Sequence, residues 1–194
     1  MNPAPSEISA VTFPETGLSE RIGQPATLDA AQREAAEMLI NGPRGGVYGP
    51  FRPLLHCPPL LHAIARLGET LRYEGTLDAA LREWTICVVA RETSNVFEWD
   101  MHLPLATKAG VSVAALAALD AGQPSPGDLR SDLALARTLV RELVIGHRLS
   151  DRTYVDAAAQ WGEPLFVELL SLVGYFAMVC WMMNVARTPG PAAG

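Results

Sequence analysis

The sequence predicts an all-α protein, a compact bundle of roughly seven or eight helices. Apolar residues recur at helical spacing, for example at positions 133, 136, 139, 140 and 143 of the stretch 129–148. Alternation with period two, which is typical of strands, appears nowhere along the chain. Capping residues, glycines and prolines divide the chain into segments of helical length.

These caps and breakers set the boundaries of the predicted helices. Thr27 is the expected N-cap of the first helix, and Ser112 and Ser150 open two later ones. Pro104 requires a first-turn position, a kink or a break in its helix. In chain order the predicted helices cover 28–41, 58–75, 78–95, 97–109, 112–122, 129–148, 150–162 and 164–187.

One segment, 42–59, is too rich in glycine and proline for a regular helix. Loops of this length are uncommon in compact domains and are often functional. The helix at 78–95 is too densely apolar for a surface helix, so we expect it to be central.

The length of 194 residues predicts one domain. Residues 1–26 show no period and are rich in proline, serine and glycine, which indicates an extended N-terminal arm. The domain then covers 27–188, and 189–194 form a flexible tail.

Charge and cysteine content exclude several classes of function. The net charge of −6 argues against a nucleic-acid binder, which needs a basic face. Three widely spaced cysteines offer neither a disulfide framework nor a paired motif, and the N-terminus lacks the pattern of a secretory signal. These features favour a cytoplasmic location for the protein.

The most apolar stretch, 169–183, has 15 residues without a charge. A membrane-spanning helix needs about 20 residues. We therefore expect a core or subunit-interface helix and no membrane partner.

Glu98 and His102 stand four residues apart in the stretch SNVFEWDMH. On a helix they share one face and can form a surface ion pair contributing a few tenths of a kcal/mol. The apolar neighbours leave little room for a solvated face, however, and a carboxylate beside an enclosed imidazole forms a general acid/base pair. His56, His62 and His147 are too scattered to complete a metal site with His102, so no metal is expected.

The residues Glu83, Asn95, Glu98 and His102 give the pattern Glu-x11-Asn-x2-Glu-x3-His. This pattern resembles the superfamily of alkylhydroperoxidase D and carboxymuconolactone decarboxylase, whose redox branch has cysteines where Asn95 and Glu98 stand. Peroxide reduction by that branch needs a thiolate and a resolving thiol, and both are missing at these positions.

The decarboxylase branch is more similar. Glu98, Trp99, Met101 and His102 match its Glu-aromatic-x-hydrophobic-His run, and 104–112 and 167–186 resemble its flanking helices. The resemblance covers about 50–187 and implies the alkylhydroperoxidase D-like helical fold.

The resemblance implies loss of CO2 from a carboxylated unsaturated lactone, with no metal or organic cofactor. His102 is then the proton donor or shuttle, Glu98 orients its ring, and Glu83 relays protons. The nearly charge-free last helix is too apolar for a lone chain to expose, so we expect a homo-oligomer, and the resemblance implies a trimer or hexamer. A neighbouring subunit or the N-terminal arm is a candidate to complete the pocket.

An anionic substrate needs a cation, for which Arg52 and Arg91 are the candidates, although either can be a solvated surface residue. Asn95, Trp99 and His56 are the other candidate substrate-binding residues, with Trp99 stacking on a flat substrate or packing in the core.

Two other functions stay open. An isomerase, dehydratase or hydrolase of a small unsaturated acid can use the same acid/base pair without loss of CO2. A non-catalytic oligomeric binding protein, or a thiol-dependent peroxidase-like protein, is the less favoured alternative.

Overall fold

The computed structural model describes residues 19–191, and within that range the regular structure is entirely helical. A single π-helical turn, Thr70–Glu74, continues the third helix. The all-α prediction is therefore confirmed. The helices are α1 Ala30–Asn41, α2 Phe51–Leu54, α3 Pro58–Glu69, α4 Ala79–Glu92, α5 Val96–Lys108, α6 Val113–Asp120, α7 Ser131–Gly146 and α8 Asp151–Ala186.

Helix α4 is the centre of the fold, as its apolar density predicted. It packs against α5, α7 and α8, and of its 14 residues all but Ala79, Arg82 and Glu92 are buried. The fully buried Trp84 donates its indole N–H to the carbonyl of Leu133 at 2.7 Å, which ties α4 to α7. Polar residues on α4 thus sit deep in the protein.

Side-chain caps begin most of the long helices. Ser112 and Ser150 cap α6 and α8 as predicted. The first helix differs, because Asp29 rather than Thr27 is its N-cap and forms a reciprocal capping box with Gln32. An aspartate followed three residues later by glutamine satisfies two backbone N–H groups, so it outcompetes the threonine.

Pro104 neither begins nor breaks its helix, because α5 runs through it from Val96 to Lys108. A first-turn position and a break are therefore excluded, and the helix lacks the backbone N–H that proline cannot supply. As a result, His102 lies within one continuous helix that begins before Glu98.

The last helix is interrupted where the sequence predicted. Gly162 has φ 68° and ψ 166°, which is a non-helical conformation accessible almost only to glycine. By length and composition α8 is apolar enough to cross a membrane, but half of its most apolar window is buried inside the protein. Core helices have the same character.

The predicted arm lies largely outside the described residues, which begin at 19. Its last part contacts the helical body, because the backbone N–H groups of Arg21 and Ile22 donate to the carbonyl of Ala186 at 2.7 and 3.2 Å. Residues 192–194 of the predicted tail are also outside the described range. The domain boundaries stay a prediction.

Two glycines of α8 should respond in opposite directions to alanine. Gly162→Ala forces a side chain into a glycine-only conformation and should lower the free energy of unfolding by about 1–3 kcal/mol. Gly174→Ala adds a methyl group to an open helical position, and should raise it by about 0.5–1 kcal/mol. Urea unfolding of both variants measures these changes. A Gly162→Ala variant that is at least as stable as Gly174→Ala would contradict the interruption of α8 at Gly162.

Candidate active site

The turn between α4 and α5 fixes where the site begins. Asn95 is the N-cap of α5, and its side-chain oxygen accepts the backbone N–H of Glu98 at 2.9 Å. Its amide group donates to the Asn184 side chain at 2.8 Å and to the Cys180 carbonyl at 3.3 Å. Asn95 thereby attaches the first turn of α5, with Glu98, to helix α8.

His102 lies between two carboxylates. Its Nδ1 is 2.7 Å from Glu83 Oε2, and its Nε2 is 3.2 Å from Glu98 Oε2. The His102 side chain is 3% exposed and each carboxylate side chain 7%. The second oxygen of Glu83 accepts from Arg82 Nε at 3.1 Å. The site is therefore a buried chain of charged groups running from α4 to α5.

Protonation of His102 is set by two opposing effects. Burial lowers the pKa of the imidazole, but the hydrogen bonds and charges of Glu83 and Glu98 outweigh burial and raise it above 6.5. For Glu83, burial raises the pKa, while the hydrogen bond to His102 prevails and lowers it. The two carboxylates thus favour the charged form of the ring, which hydrogen-bonds to Glu83 through Nδ1 and lies at ion-pair distance from Glu98 through Nε2.

An aromatic ring also holds the imidazole. The ring of Phe176 on α8 meets that of His102 edge to face, with centroids 5.2 Å apart and an interplanar angle of 85°. The ring of Phe176 in turn contacts Tyr175 at 5.2 Å in a similar geometry. His102 therefore has little freedom to change its orientation.

A cavity of about 250 Å³ adjoins this chain of charges. Glu98 and His102 line it, whereas Glu83 lies behind the imidazole and is not in the wall. Much of the wall comes from the predicted functional loop 42–59, which contains the helical turn α2. The lining residues are Pro43, Arg44, Gly46, Tyr48, Pro50, Phe51, Arg72, Tyr73, Phe97, Glu98, Met101, His102, Tyr175, Phe176 and Val179.

Neither arginine predicted to bind the substrate belongs to this wall. Arg52 makes a two-point ion pair with Glu20, at 3.1 and 2.8 Å, which turns it toward the N-terminal segment. Arg91 is buried and donates to the Asp120 carbonyl at 2.8 Å, so it holds α6 against α4. Arg52 and Arg91 therefore do not line this cavity in the single chain, and their role in substrate binding stays a prediction.

The other three predicted binding residues also lie outside the cavity wall. His56 contacts the Gly23 carbonyl at 3.0 Å on the surface. Trp99 is buried in the core, and Asn95 serves as the helix cap. Stacking of Trp99 on a substrate in this cavity is therefore not supported.

Arg44 and Arg72 are the arginines that line the cavity. Arg44 belongs to the same loop as Arg52 but eight residues earlier, and it pairs with Glu69 at 2.5 Å. Arg72 lies in the π-helical turn. The glycine and proline content of the loop pointed to a segment that lines the cavity, but nothing in local spacing distinguished these arginines from surface ones.

The cysteines are not arranged for thiol chemistry. Cys87 and Cys180 are fully buried, and burial raises the pKa of both thiols well above the usual range. Cys57 is exposed and does not line the cavity. None of the three is therefore a reactive thiolate beside His102.

Comparisons with known proteins agree with the predicted resemblance. The model of the carboxymuconolactone decarboxylase family matches residues 58–127, which include Glu83, Glu98 and His102. The fold is similar to a crystal structure of an alkylhydroperoxidase AhpD core, an uncharacterized peroxidase-related protein from Ralstonia eutropha JMP134. That match has a TM-score of 0.67 and 13% identity, and covers 95% of this chain and 93% of the other, so it shows the fold alone. No curated protein matches the chain.

The imidazolium depends on Glu83, so Glu83→Gln should lower the pKa of His102. The substitution removes the shorter of its two charged contacts and leaves burial in place. NMR titration of the imidazole should give a value above 6.5 in the wild type and a lower one in the variant.

The matched control is Glu92→Gln, which removes a carboxylate that pairs with Arg141 outside the cavity. It should leave the titration of His102 unchanged.

Because the folded-state pKa of His102 is raised, its charge stabilises the fold below pH about 6.5, and this stabilisation is lost as pH rises through the folded pKa. A wild-type pKa at or below 6.5 would contradict this account.

Proposed function

We propose that the protein is a cofactor-free acid/base enzyme, from the premise that residues 58–127 match the carboxymuconolactone decarboxylase family and that the chain has the alkylhydroperoxidase D-like fold. Its proposed substrate is a small unsaturated carboxylated lactone or a related acid, and its proposed reaction is decarboxylation, which makes it a lyase. Glu98 and His102 move the proton, and Glu83 holds the ring.

The observation that carries this proposal is a buried histidine between two carboxylates at the edge of a cavity. Glu98 and His102 line the cavity, so a ligand there can reach a proton acceptor and a proton donor together. Glu83 lies outside the wall, and its hydrogen bond fixes the orientation of the ring. A surface ion pair would not be 3–7% exposed.

Decarboxylation at such a site takes two steps, the loss of CO2 and the protonation of carbon. The bond between the ring carbon and its carboxylate breaks, CO2 leaves, and the electron pair enters the conjugated lactone as an enolate. A proton then adds to carbon. We propose that this proton comes from His102 Nε2 through Glu98, while the remaining Nδ1–H stays bonded to Glu83. Uptake of a proton from water restores the imidazolium.

Isomerisation or hydration of an unsaturated acid uses the same proton transfer with no loss of CO2. The structural neighbour is a peroxidase-related protein, which makes thiol-dependent peroxide reduction a further alternative. The buried thiols of Cys87 and Cys180, whose pKa values are raised by burial, argue against it.

His102→Gln and Glu98→Gln should each lower turnover by roughly 10²–10⁴-fold, the contribution typical of a general acid/base group. The assay uses a panel of carboxylated lactones and unsaturated acids, with CO2 release and deuterium uptake from D2O followed separately. CO2 release identifies the decarboxylase, whereas deuterium uptake alone identifies an isomerase.

His62→Gln is the matched control, because His62 is exposed and outside the cavity wall. It should leave turnover unchanged. Full activity in His102→Gln or Glu98→Gln would refute the assignment of this pair, as would rapid reduction of a hydroperoxide with a thiol reductant.

We also propose that the protein is a homo-oligomer, a trimer or hexamer. Large apolar side chains on α8 are exposed in the single chain, with Val167 and Val185 each 61% and Trp181 53% accessible. Light scattering should give a mass of three or six chains for the wild type, and Trp181→Arg should reduce it. A monomeric wild type would contradict the proposal.

A further inference from the structure

Arg72 lies in the only stretch of π-helix among residues 19–191. The π-helical turn Thr70–Glu74 carries one extra residue per turn relative to α-helix, and both Arg72 and Tyr73 line the cavity. The guanidinium of Arg72 lies 5.1 Å from the centroid of the Tyr73 ring. The cation is therefore held against an aromatic face in the cavity wall.

The acidic residues next to Arg72 in sequence are bound elsewhere. Glu69 pairs with Arg44 at 2.5 Å, and Glu74 makes a two-point ion pair with Arg66 at 2.5 and 3.0 Å. Within residues 19–191, no carboxylate lies within ion-pair distance of Arg72. Arg44 is neutralised by Glu69, so Arg72 is the cation of the wall that lacks a counter-charge in the described chain.

Tyr175 provides a second hydrogen-bond donor in the same wall. Its ring is buried, and its hydroxyl lies so close to the backbone of Gly68 that an added Cβ there would be 2.3 Å away. Burial raises the pKa of Tyr175 to about 12, so the phenol keeps its proton at neutral pH. Arg44, which is beside it, can only donate, and no described residue accepts the phenol proton.

From this geometry we infer that Arg72 and Tyr175 form a carboxylate-binding subsite of the cavity. This inference rests on the proposed function only for the identity of the natural substrate. A guanidinium binds a planar carboxylate through two parallel hydrogen bonds, and a phenol can add a third. Glu98 repels the same anionic group, so the subsite also orients the ligand. The carboxylate lies at Arg72, and the uncharged carbon skeleton lies toward Glu98 and His102.

The size of the cavity restricts the ligand. A volume of about 250 Å³ is smaller than the roughly 300–1,000 Å³ of sites for drug-sized molecules. A single-ring carboxylate is therefore the class that fits, and aromatic side chains in the wall suit a flat ring.

The test measures binding of 2-furoate, a flat single-ring carboxylate, and of its neutral amide, 2-furamide. Isothermal titration calorimetry on the full chain should show furoate binding roughly tenfold or more tightly than the amide, since the charge-assisted contacts are lost in the amide. Arg72→Gln should remove that preference, and Tyr175→Phe should weaken furoate binding while keeping the shape of the ring.

Arg152→Gln is the matched control, because this arginine is exposed and pairs with Asp156 away from the cavity. It should bind furoate like the wild type, and thermal unfolding checks that each variant is folded. His102→Gln should still bind furoate, so loss of turnover and loss of the subsite are separate results. Equal affinity for acid and amide, wild-type binding by Arg72→Gln, or preference for inorganic phosphate over furoate would overturn the proposal.

Discussion

The buried imidazolium of His102 is the interaction on which the rest of the site depends. A charged ring that is 3% exposed is stable only when its partners compensate for the lost hydration, and here Glu83 and Glu98 do so from opposite nitrogens. Removal of one partner of such a buried pair typically costs about 3–5 kcal/mol. The positions of α4 and α5 are therefore constrained by the chemistry of one side chain.

The fold meets this constraint with few residues. Glu83 projects from the central helix, and Asn95 fixes the start of α5 against α8 through Asn184. Phe176 on α8 then packs edge to face against the imidazole. Three helices thus define the position of one ring, which is what proton transfer to a bound carbon requires, because small displacements of a catalytic group strongly reduce rates.

Much of this arrangement could be predicted from the sequence, because it depends on local spacing. The four-residue separation of Glu98 and His102 predicted their contact on one helix face, and apolar density predicted that α4 is central. The contact between Glu83 and His102 spans 19 residues, so local rules could not predict it and only the family resemblance pointed to it. Local spacing did not point to the arginines that line the cavity, because Arg52 is paired with Glu20 and the π-helical turn that contains Arg72 has no signature in apolar spacing.

We expect His102 to rest as an imidazolium between Glu83 and Glu98 and to deliver its proton to a ligand in the cavity. Neutron diffraction from crystals grown in D2O at neutral pH tests it most directly, because it locates the deuterons. Deuterons are expected on both Nδ1 and Nε2 of His102. A neutral ring that carries a single deuteron would contradict it.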